Sequence, residues 1–209
     1  MADNYIEKKM EQLRSGAQSS SMRYKSVEAL MKYNRSTREY DASYIVHPFQ
    51  LRAIVSVNTL VASARNQQVL RFHLVTSERA HLVLPLIGMA SNLPDLHLPL
   101  PGTEPNAFII ICTTDPDAPH LEFDEGISAQ SMLLKASEMG LNGLMIKNFN
   151  PDKLQEELGL ALKPTTVIAI GRSAEKIAHR TVGEGECLKY YREEGVHIVP
   201  KLEPGAILI

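Results

Sequence analysis

Several signatures of common function classes are missing from this sequence. The 209 residues contain two cysteines, Cys112 and Cys187, without a CxxC pair, and seven histidines without HxxH or HExxH spacing. Because a metal site needs several convergent ligands, we expect no metal site in this protein. The GxSxG nucleophile elbow, the Walker phosphate loop and the GxGxxG fingerprint are also missing. These absences speak against hydrolases and nucleoside-triphosphate enzymes.

The sequence also lacks a large excess of charge of either sign and has no long apolar run. The formal net charge is -2, which predicts no broad basic face for nucleic acid. No apolar run approaches the ~18 residues that a membrane span requires, and the charged start is unlike a signal peptide. Together with the sparse cysteines, these features predict a cytoplasmic protein without membrane or nucleic-acid partners.

The hydrophobic pattern predicts a layered fold of helices and strands. A hydrophobic content of 44% in 209 residues is enough for one domain with a full core. Helices are predicted at 3–14, around 27–31, at 48–64, after Ser77 (ending or bending at Pro85), at 124–139 and at 151–158; about four strands are predicted, at 71–76, 107–112, 144–146 and 165–171. Residues 93–105 are predicted to form a long loop, and 172–194 are polar. The fold class we expect is α+β, with helices layered on a sheet.

The longest predicted helix is the centre of this arrangement. Asp124 is a suitable N-cap, and Gly140 stands where a helix needs a residue with positive φ after its end. Apolar residues occupy most of its circumference, and small residues such as Gly126 and Ala129 leave part of its surface flat. This pattern predicts a buried helix that another backbone can approach closely.

Four polar segments stand at the ends of the predicted elements: 34–38, 63–68, 143–148 and 200–201. Guanidinium forks and a hydroxyl suit a phosphate dianion, an amide side chain suits the edge of a flat heterocycle, and free backbone N–H groups suit a ring nitrogen. Each segment alone also has a simpler interpretation, namely a solvated basic loop, a helix end with a basic residue, or a cap followed by a turn.

Taken together, the four segments resemble the FMN-dependent nitroreductase family from about residue 30 to the end. Residues 35–38 followed by Tyr40 resemble the family's opening motif, whose basic and hydroxyl groups hold the FMN phosphate and ribityl chain. Residues 62–72 resemble the segment whose asparagine, here Asn66, pairs with the pyrimidine edge of the flavin. Residues 124–141 resemble the long helix in the core of the family's dimer.

The later segments resemble the same family. Residues 144–149 resemble the turn whose main-chain N–H points at flavin N5, while 171–172 and 200–201 resemble a late strand end and the basic tail near the phosphate. Four positions depart from the family pattern: Asn34 replaces an arginine, Val69 and Leu70 replace Pro-Trp, and Leu202 replaces a second basic residue. The resemblance therefore implies that Arg35, Arg38 and Lys201 carry most of the phosphate binding.

The resemblance implies a fold, a cofactor and a reaction. It implies a nitroreductase-like fold with a central mixed sheet flanked by helices, an intertwined homodimer, and one FMN-binding domain over 34–209 after a helical extension at 1–33. It also implies that NADH or NADPH delivers hydride, which passes through flavin N5 to a nitroaromatic, quinone or similar small-molecule acceptor. The implied cofactor-binding residues are Arg35, Ser36, Arg38, Ser63, Arg65, Asn66, Gln68, Met145, Ile146, Lys147, Asn148, Gly171, Arg172 and Lys201.

No catalytic side chain is expected, because the flavin itself carries the chemistry. Three alternatives remain open at this point. The protein could be a flavin enzyme of the same family with another reaction, an FMN-binding protein without catalysis, or a structural dimer without cofactor.

Overall fold

The computed structural model describes residues 26–89, 93 and 96–209. The helix predicted at 3–14 lies outside these residues, as do most of the extension at 1–33 and part of the predicted loop at 93–105. The helices are α1 (Val27–Tyr33), α2 (Pro48–Ser56), α3 (Ala80–Val83), α4 (Leu121–Glu138) and α5 (Pro151–Leu158), with short 3-10 turns at Val57–Thr59, Ala64–Asn66, Leu84–Leu86 and Pro204–Ala206. The strands are β1 (Leu70–Val75), β2 (Ala107–Thr113), β3 (Asn142–Ile146), β4 (Lys163–Gly171), β5 (Lys176–Val182), β6 (Tyr191–Glu193) and β7 (Val196–Leu202).

The main sheet has four strands in the order β1-β2-β4-β3, and its neighbouring strands run antiparallel. A single parallel bridge between Ser36 and Gly143 adds the 34–38 segment to its edge, so the pairing is mixed. All residues of β2 are buried, and β2 and β4 are the inner strands, which confirms the two central strands predicted from their apolar runs.

Helices cover both faces of the main sheet. Because side chains alternate along a strand, Phe108 and Ile110 of β2 pack with Val83 of α3 and Leu154 of α5 on one face. The alternate residues of β2, Ile109 and Ile111, face the other side of the sheet. They belong to a second buried cluster, which includes Leu51 and Ile54 of α2 and Met132 of α4. Each fully buried side chain of this kind contributes roughly 1.5–3 kcal/mol. The layered α+β fold predicted from the sequence is confirmed.

A second sheet of three strands follows the main one, in the order β5-β7-β6. Strand β5 pairs parallel with β7, and β6 pairs antiparallel with it. The expectation of about four strands was therefore too low, because β5 and β6 lie in the polar stretch 172–194. Strand β5 is largely exposed, so its side chains are polar and lack the apolar signal of a core strand.

Helix α4 begins earlier than the sequence predicted. It starts at Leu121, after His120 with φ 63, so that Asp124 is not the N-cap but lies inside the first turn. The Asp124 carboxylate instead accepts hydrogen bonds from residues 63–67, a tertiary contact that its neighbours in sequence do not reveal. The predicted end is confirmed, since Gly140 has φ 77.

Two other helices are shorter than predicted. Helix α2 ends at Ser56 rather than near Ala64, because side chains of Asn58 and Thr59 bond to the carbonyls of Val55 and Ser56 and favour a tighter turn. Helix α3 ends just before the turn that contains Pro85, as the proline predicted, although Arg79 rather than Ser77 occupies its N-cap position. Helix α5 matches its predicted range of 151–158.

Within the described residues, the helices are too short or too polar to cross a lipid bilayer.

Candidate functional site

A cavity of about 650 Å³ lies between helix α1, the segment 34–38, helix α4, strand β3 and the second sheet. Its lining includes four cationic side chains, Lys32, Arg35, Arg38 and Lys201, together with His179 and one acid, Glu28, which is paired with Lys32 at 2.7 Å. We call it the basic cavity. Its volume falls within the ~300–1,000 Å³ that is typical of sites for small organic ligands.

The segment 34–38 is fixed in the basic cavity by the edge of β3. The Arg35 N–H donates to Asn142 Oδ1 at 2.9 Å, and the Thr37 N–H donates to the Gly143 carbonyl at 3.1 Å. These bonds confirm that the segment is extended, and they bring Arg35, Ser36 and Arg38 into the same lining as Met145 of β3.

Positive charge is concentrated around Arg35. Its guanidinium contacts the ring of His179 and the Met31 carbonyl, while its buried Nε has no hydrogen-bond partner among the described residues. Burial, and then the charges of Arg35 and Lys201, lower the pKa of His179. The positive charges of Arg35 and Lys201 would stabilise an anion placed beside them.

Arg38 is held more firmly than Arg35. Its Nε donates to the Met89 carbonyl at 2.8 Å, one terminal nitrogen donates to the Ser36 carbonyl at 3.0 Å, and the guanidinium carbon lies 4.7 Å from the centre of the Tyr190 ring. Only 7% of the residue is exposed. Arg38 therefore forms part of the cavity wall in a fixed orientation.

A buried carboxylate lies behind this wall. Glu175 accepts hydrogen bonds from the Arg38 N–H at 2.9 Å, from Arg192 at 2.6 Å and from Nδ1 of His197 at 2.9 Å. Arg192 also binds Glu39 at 2.6 Å. Burial raises the pKa of Glu175, but the hydrogen bonds from His197, the Arg38 N–H and Arg192 outweigh it and hold the pKa below its usual range. The carboxylate is therefore ionised at neutral pH.

The sequence did not single out four of these residues, namely Glu175, His179, Tyr190 and His197. His197 lies in the cavity lining with its Nε2 unpaired among the described residues. The available signal was a histidine at one position of the final apolar run, alternating with Val199 and Lys201. The three residues share one face of β7, and all of them line the basic cavity.

The segment 63–68 lies elsewhere. Ser63 and Gln68 line a second cavity, of about 370 Å³, together with Asp124 and Ser128 of α4. The Asp124 carboxylate fixes the segment through Ser63 Oγ and the Ala64 N–H, both at 2.7 Å, and Gln67 Nε2 at 3.1 Å. Within one chain, Ser63 and Gln68 are therefore not brought to the basic cavity.

The backbone of this segment is strained. Arg65, Asn66 and Gln68 have φ of 52, 53 and 47, although none of them is glycine. Such conformations cost roughly 1–3 kcal/mol each and are concentrated at binding and catalytic sites. The Asn66 side chain accepts a hydrogen bond from Gln68 Nε2 at 2.9 Å.

The last two residues of β3 and the two that follow it lie in different surroundings. Met145 lines the basic cavity, whereas Ile146 is buried in the core. Lys147 Nζ turns away to Glu125 Oε2 at 2.8 Å and to the Thr165 carbonyl at 2.9 Å. The Asn148 carbonyl accepts from the Gly88 N–H at 2.8 Å, and Asn148 lines a further cavity with residues 85–88.

The two cofactor-binding residues predicted at the end of β4, Gly171 and Arg172, lie outside the lining of the basic cavity. Gly171 packs against the ring of buried Tyr40, and the guanidinium of Arg172 lies 3.9 Å from the centre of the Tyr44 ring and 3.7 Å from the Asp41 carboxylate. Five of the residues named for cofactor binding thus share one cavity: Arg35, Ser36, Arg38, Met145 and Lys201. In the part of the chain that the structure describes, His, Cys, Asp and Glu residues form no group of three that could hold a metal ion.

Comparison with known proteins agrees with this fold. The model of the nitroreductase family matches residues 31–172. The structure resembles the nitroreductase family protein of Streptococcus pneumoniae TIGR4, with 18% identity over 73% of this chain and 93% of that one and a TM-score of 0.59. It also resembles one from Clostridium difficile 630, with 22% identity over 73% and 86% and a TM-score of 0.56.

A third similar structure is a putative nitroreductase from Exiguobacterium sibiricum 255-15 in complex with FMN, with 17% identity over 73% of this chain and 90% of that one and a TM-score of 0.58. No curated protein matches the sequence. At these identities the structures show the fold alone, but the family model covers more than half of the 209 residues. The chain belongs to the nitroreductase family.

Proposed function

We propose that the protein is an FMN-dependent oxidoreductase that passes hydride from NADH or NADPH to an organic acceptor such as a nitroaromatic or a quinone. The observation that carries the proposal is the basic cavity, where Arg35, Ser36, Arg38 and Lys201 meet in one lining. The family membership and the FMN complex of a similar structure support it. Bound FMN would accept hydride and release it at N5 of its ring.

The residues present fit the phosphate of such a cofactor. Arg35 has a buried Nε without a partner among the described residues, and Lys201 and the Ser36 hydroxyl are in the same lining. Charge-assisted hydrogen bonds to a dianion are about twice as strong as neutral ones, so this group would hold the phosphate against exchange with water. The pKa of Arg35 is lowered by burial, and an anion beside it would offset that desolvation.

The cavity also offers apolar surface for a planar ring. Leu133 of α4, Met145 of β3, Ile177 of β5 and Val199 of β7 line it between the polar groups. Sites for aromatic ligands combine such walls with a few fixed polar groups, which orient the ligand and exclude water. These residues would orient the flavin and restrict the access of water to it.

Within one chain, Ser63 and Gln68 lie in a different cavity from Arg35 and Lys201. All four can meet the same cofactor only if two copies of the chain pair, which favours a homodimer. Asp124 and Ser128 of α4 line the second cavity, whereas Gln130 and Leu133 line the basic one. At about 100° per residue, Leu133 is turned about 140° from Ser128, so the helix lies between the two cavities. Two copies that pack through α4 could bring Ser63, Asn66 and Gln68 of one copy to the basic cavity of the other.

A stripe on α4, exposed at its first two positions and half-buried at the other three, supports this pairing. Phe123, Gly126, Ile127, Gln130 and Leu134 follow one another at helical spacing, and Phe123 is 68% exposed. The apolar end of the chain is also uncovered, since Leu208 is 76% exposed. Contiguous apolar surface of this kind is characteristic of interfaces. Light scattering at micromolar concentration should therefore give the mass of a dimer, and Phe123→Asp should lower it towards that of a monomer.

The first test of the proposed function is the absorbance spectrum of the purified protein, with FMN added where needed. We expect a flavin spectrum that bleaches when NADH or NADPH is added without oxygen and returns when a quinone or nitroaromatic is supplied. A protein that holds FMN but stays yellow with both nicotinamides would be a carrier, and one that binds no FMN would contradict the proposal.

Variants test which residues hold the cofactor. Arg35→Ala and Lys201→Ala should each weaken FMN binding by about 10-fold or more, because a hydrogen bond to a charged group is worth roughly 1.5–3 kcal/mol. Arg38→Ala and Asn66→Ala should weaken retention of FMN during dialysis. Arg52→Ala is a matched control, since Arg52 is an exposed arginine on α2. Equal retention by all of these variants would contradict the assignment of the site.

A further inference from the structure

The second sheet lies outside the part of the chain that matches the family model, which ends at residue 172. It nevertheless supplies one wall of the basic cavity, through Ile177 and His179 of β5 and His197, Val199 and Lys201 of β7. In the pairing of β5 with β7, Ile177 is opposite His197, and His179 is opposite Val199. The wall therefore has a cationic end at Lys201, with His179 near it, and a second polar group at His197, with apolar residues between them.

His197 has a free hydrogen-bonding atom that the protein itself does not satisfy. Its side chain is 1% exposed, and its Nδ1 is paired with Glu175 at 2.9 Å. Its Nε2 is buried and has no partner among the described residues, although the ring lines the cavity. Leaving a buried polar atom unpaired is unfavourable, so a ligand that satisfies Nε2 gains affinity.

The environment of the ring determines what kind of partner Nε2 needs. Glu175 is an ionised acceptor, so Nδ1 must carry the proton that is shared with it. In the neutral ring, Nε2 is then an acceptor and requires a hydroxyl or N–H group from the ligand. A carboxylate behind the ring fixes both its tautomer and its orientation.

The position of His197 along β7 indicates which part of the ligand it meets. Lys201 lies four positions farther along the strand, or about 13 Å, whereas His179 is paired with Val199, only two positions or about 7 Å from His197. A ligand with its phosphate at the cationic end would place the chain that links phosphate and ring towards His197. In FMN that linker carries hydroxyl groups, which are donors of the required kind.

Resting on the function proposed above, we infer that His197 is a ligand-binding residue that accepts a hydrogen bond through Nε2 from a hydroxyl of the linker between phosphate and ring. Glu175 is its positioning residue. The C-terminal sheet thus recognises the hydroxylated part of the ligand, separately from the cationic side chains of Arg35 and Lys201.

The test compares three flavins on the wild type and on His197→Asn. Asparagine can keep the hydrogen bond to Glu175 through its amide and removes only the group at the position of Nε2. FMN and riboflavin both carry the hydroxylated linker, whereas lumiflavin has a methyl group instead. Affinities are measured by quenching of flavin fluorescence, and thermal melting checks that the variant folds like the wild type.

We expect His197→Asn to weaken FMN and riboflavin by about fivefold, the worth of one neutral hydrogen bond, and to leave lumiflavin unchanged. Unchanged affinity for FMN, or an equal loss for all three flavins, would overturn the inference. If the wild type binds FMN and the variant gives either of these contrary results, this inference is wrong but the proposed function still stands. A wild type that binds no flavin contradicts the proposed function, and this inference falls with it.

A spectroscopic measurement gives an answer even if the variant fails to fold. In wild-type protein with ¹⁵N-labelled histidine, Nδ1 of His197 should carry the proton and Nε2 should not. Addition of riboflavin should shift the Nε2 resonance and leave Nδ1 nearly unchanged. A proton found on Nε2 in the free protein, or an Nε2 resonance that does not respond to saturating riboflavin, would also overturn the inference.

Discussion

Asp124→Asn tests the connection between the long helix and the strained segment 63–68. In the wild type the Asp124 carboxylate accepts three hydrogen bonds, from Ser63 Oγ and the Ala64 N–H at 2.7 Å and from Gln67 Nε2 at 3.1 Å. The residue is 3% exposed. Asparagine keeps one oxygen, which can still accept from Ala64, but its NH₂ group then meets other donors.

The magnitude follows from these contacts. The Ser63 hydroxyl can rotate to accept from the new NH₂ group, whereas Gln67 Nε2 can only donate. Gln67 therefore loses its bond to residue 124 and keeps only the one to the Pro119 carbonyl at 3.0 Å. A hydrogen bond to a charged group contributes roughly 1.5–3 kcal/mol. We therefore expect Asp124→Asn to lower the free energy of unfolding by about 1.5–3 kcal/mol, and to weaken retention of FMN if the segment reaches the cofactor.

The assay is urea denaturation followed by circular dichroism, at one fixed protein concentration, because the stability of the proposed dimer would depend on that concentration. Burial raises the pKa of Asp124, but the hydrogen bonds from Ala64, Ser63 and Gln67 outweigh it and hold the pKa below its usual value. The wild type should thus keep this stabilisation above the unfolded pKa of about 3.9 and lose it as the pH falls through the folded pKa. The free energy of unfolding of Asp124→Asn should not show this fall at low pH.

Asp117→Asn is the matched control for this experiment. It removes the same charge from an exposed position in the loop before α4. Its free energy of unfolding should stay within about 0.5 kcal/mol of the wild type. A difference between the two variants of less than about 0.5 kcal/mol at pH 7 would refute the reasoning, because it would mean that the three contacts at Asp124 contribute nothing specific.

Two further predictions concern the surroundings of the basic cavity. Gly171→Ala would place a Cβ 2.5 Å from Tyr40 Cδ1 and should lower the free energy of unfolding by about 1–3 kcal/mol in urea. Gly205→Ala, whose Cβ would meet no described atom within 4 Å, is its control, and equal effects of the two would contradict the packing argument. Because the pKa of His179 is lowered in the folded protein, the unfolded state binds the proton first, and stability should fall as the pH drops below about 6.5. His179→Gln should reduce that slope between pH 7.5 and 5, and an unchanged slope would show that His179 does not contribute to it.

Apolar periodicity predicted the parts of the fold that depend on local sequence. The central strand at 107–112 and the helix at 151–158 have patterns that their own residues determine, so both were found with nearly correct ends. Asp124 shows the limit of this reasoning. It has the composition of a helix cap, but its hydrogen-bond donors come from residues about 60 positions earlier in the chain.

In the candidate site, too, the residues that belong to local motifs were predicted, whereas those that depend on tertiary contacts were not. Arg35, Ser36, Arg38 and Lys201 were named from short motifs, and the structure brings them into one cavity lining. Glu175 and His197 were not named, because their pairing depends on how β5 and β7 lie in a sheet that the polar composition of β5 conceals. A single sequence does not contain that register.

The residues just before position 90 are tied to both sides of the candidate site. The Met89 carbonyl accepts from Arg38, the Gly88 N–H donates to Asn148, and Ile87 pairs with Phe149 in a single bridge. Residues 87–89 are thus anchored by main-chain contacts, and glycine at position 88 permits the close approach, because a Cβ there would lie 2.2 Å from Asn148 Nδ2. Because Arg38 is held by the main chain of Met89, the contact that fixes its guanidinium in the wall of the basic cavity requires no particular side chain at position 89.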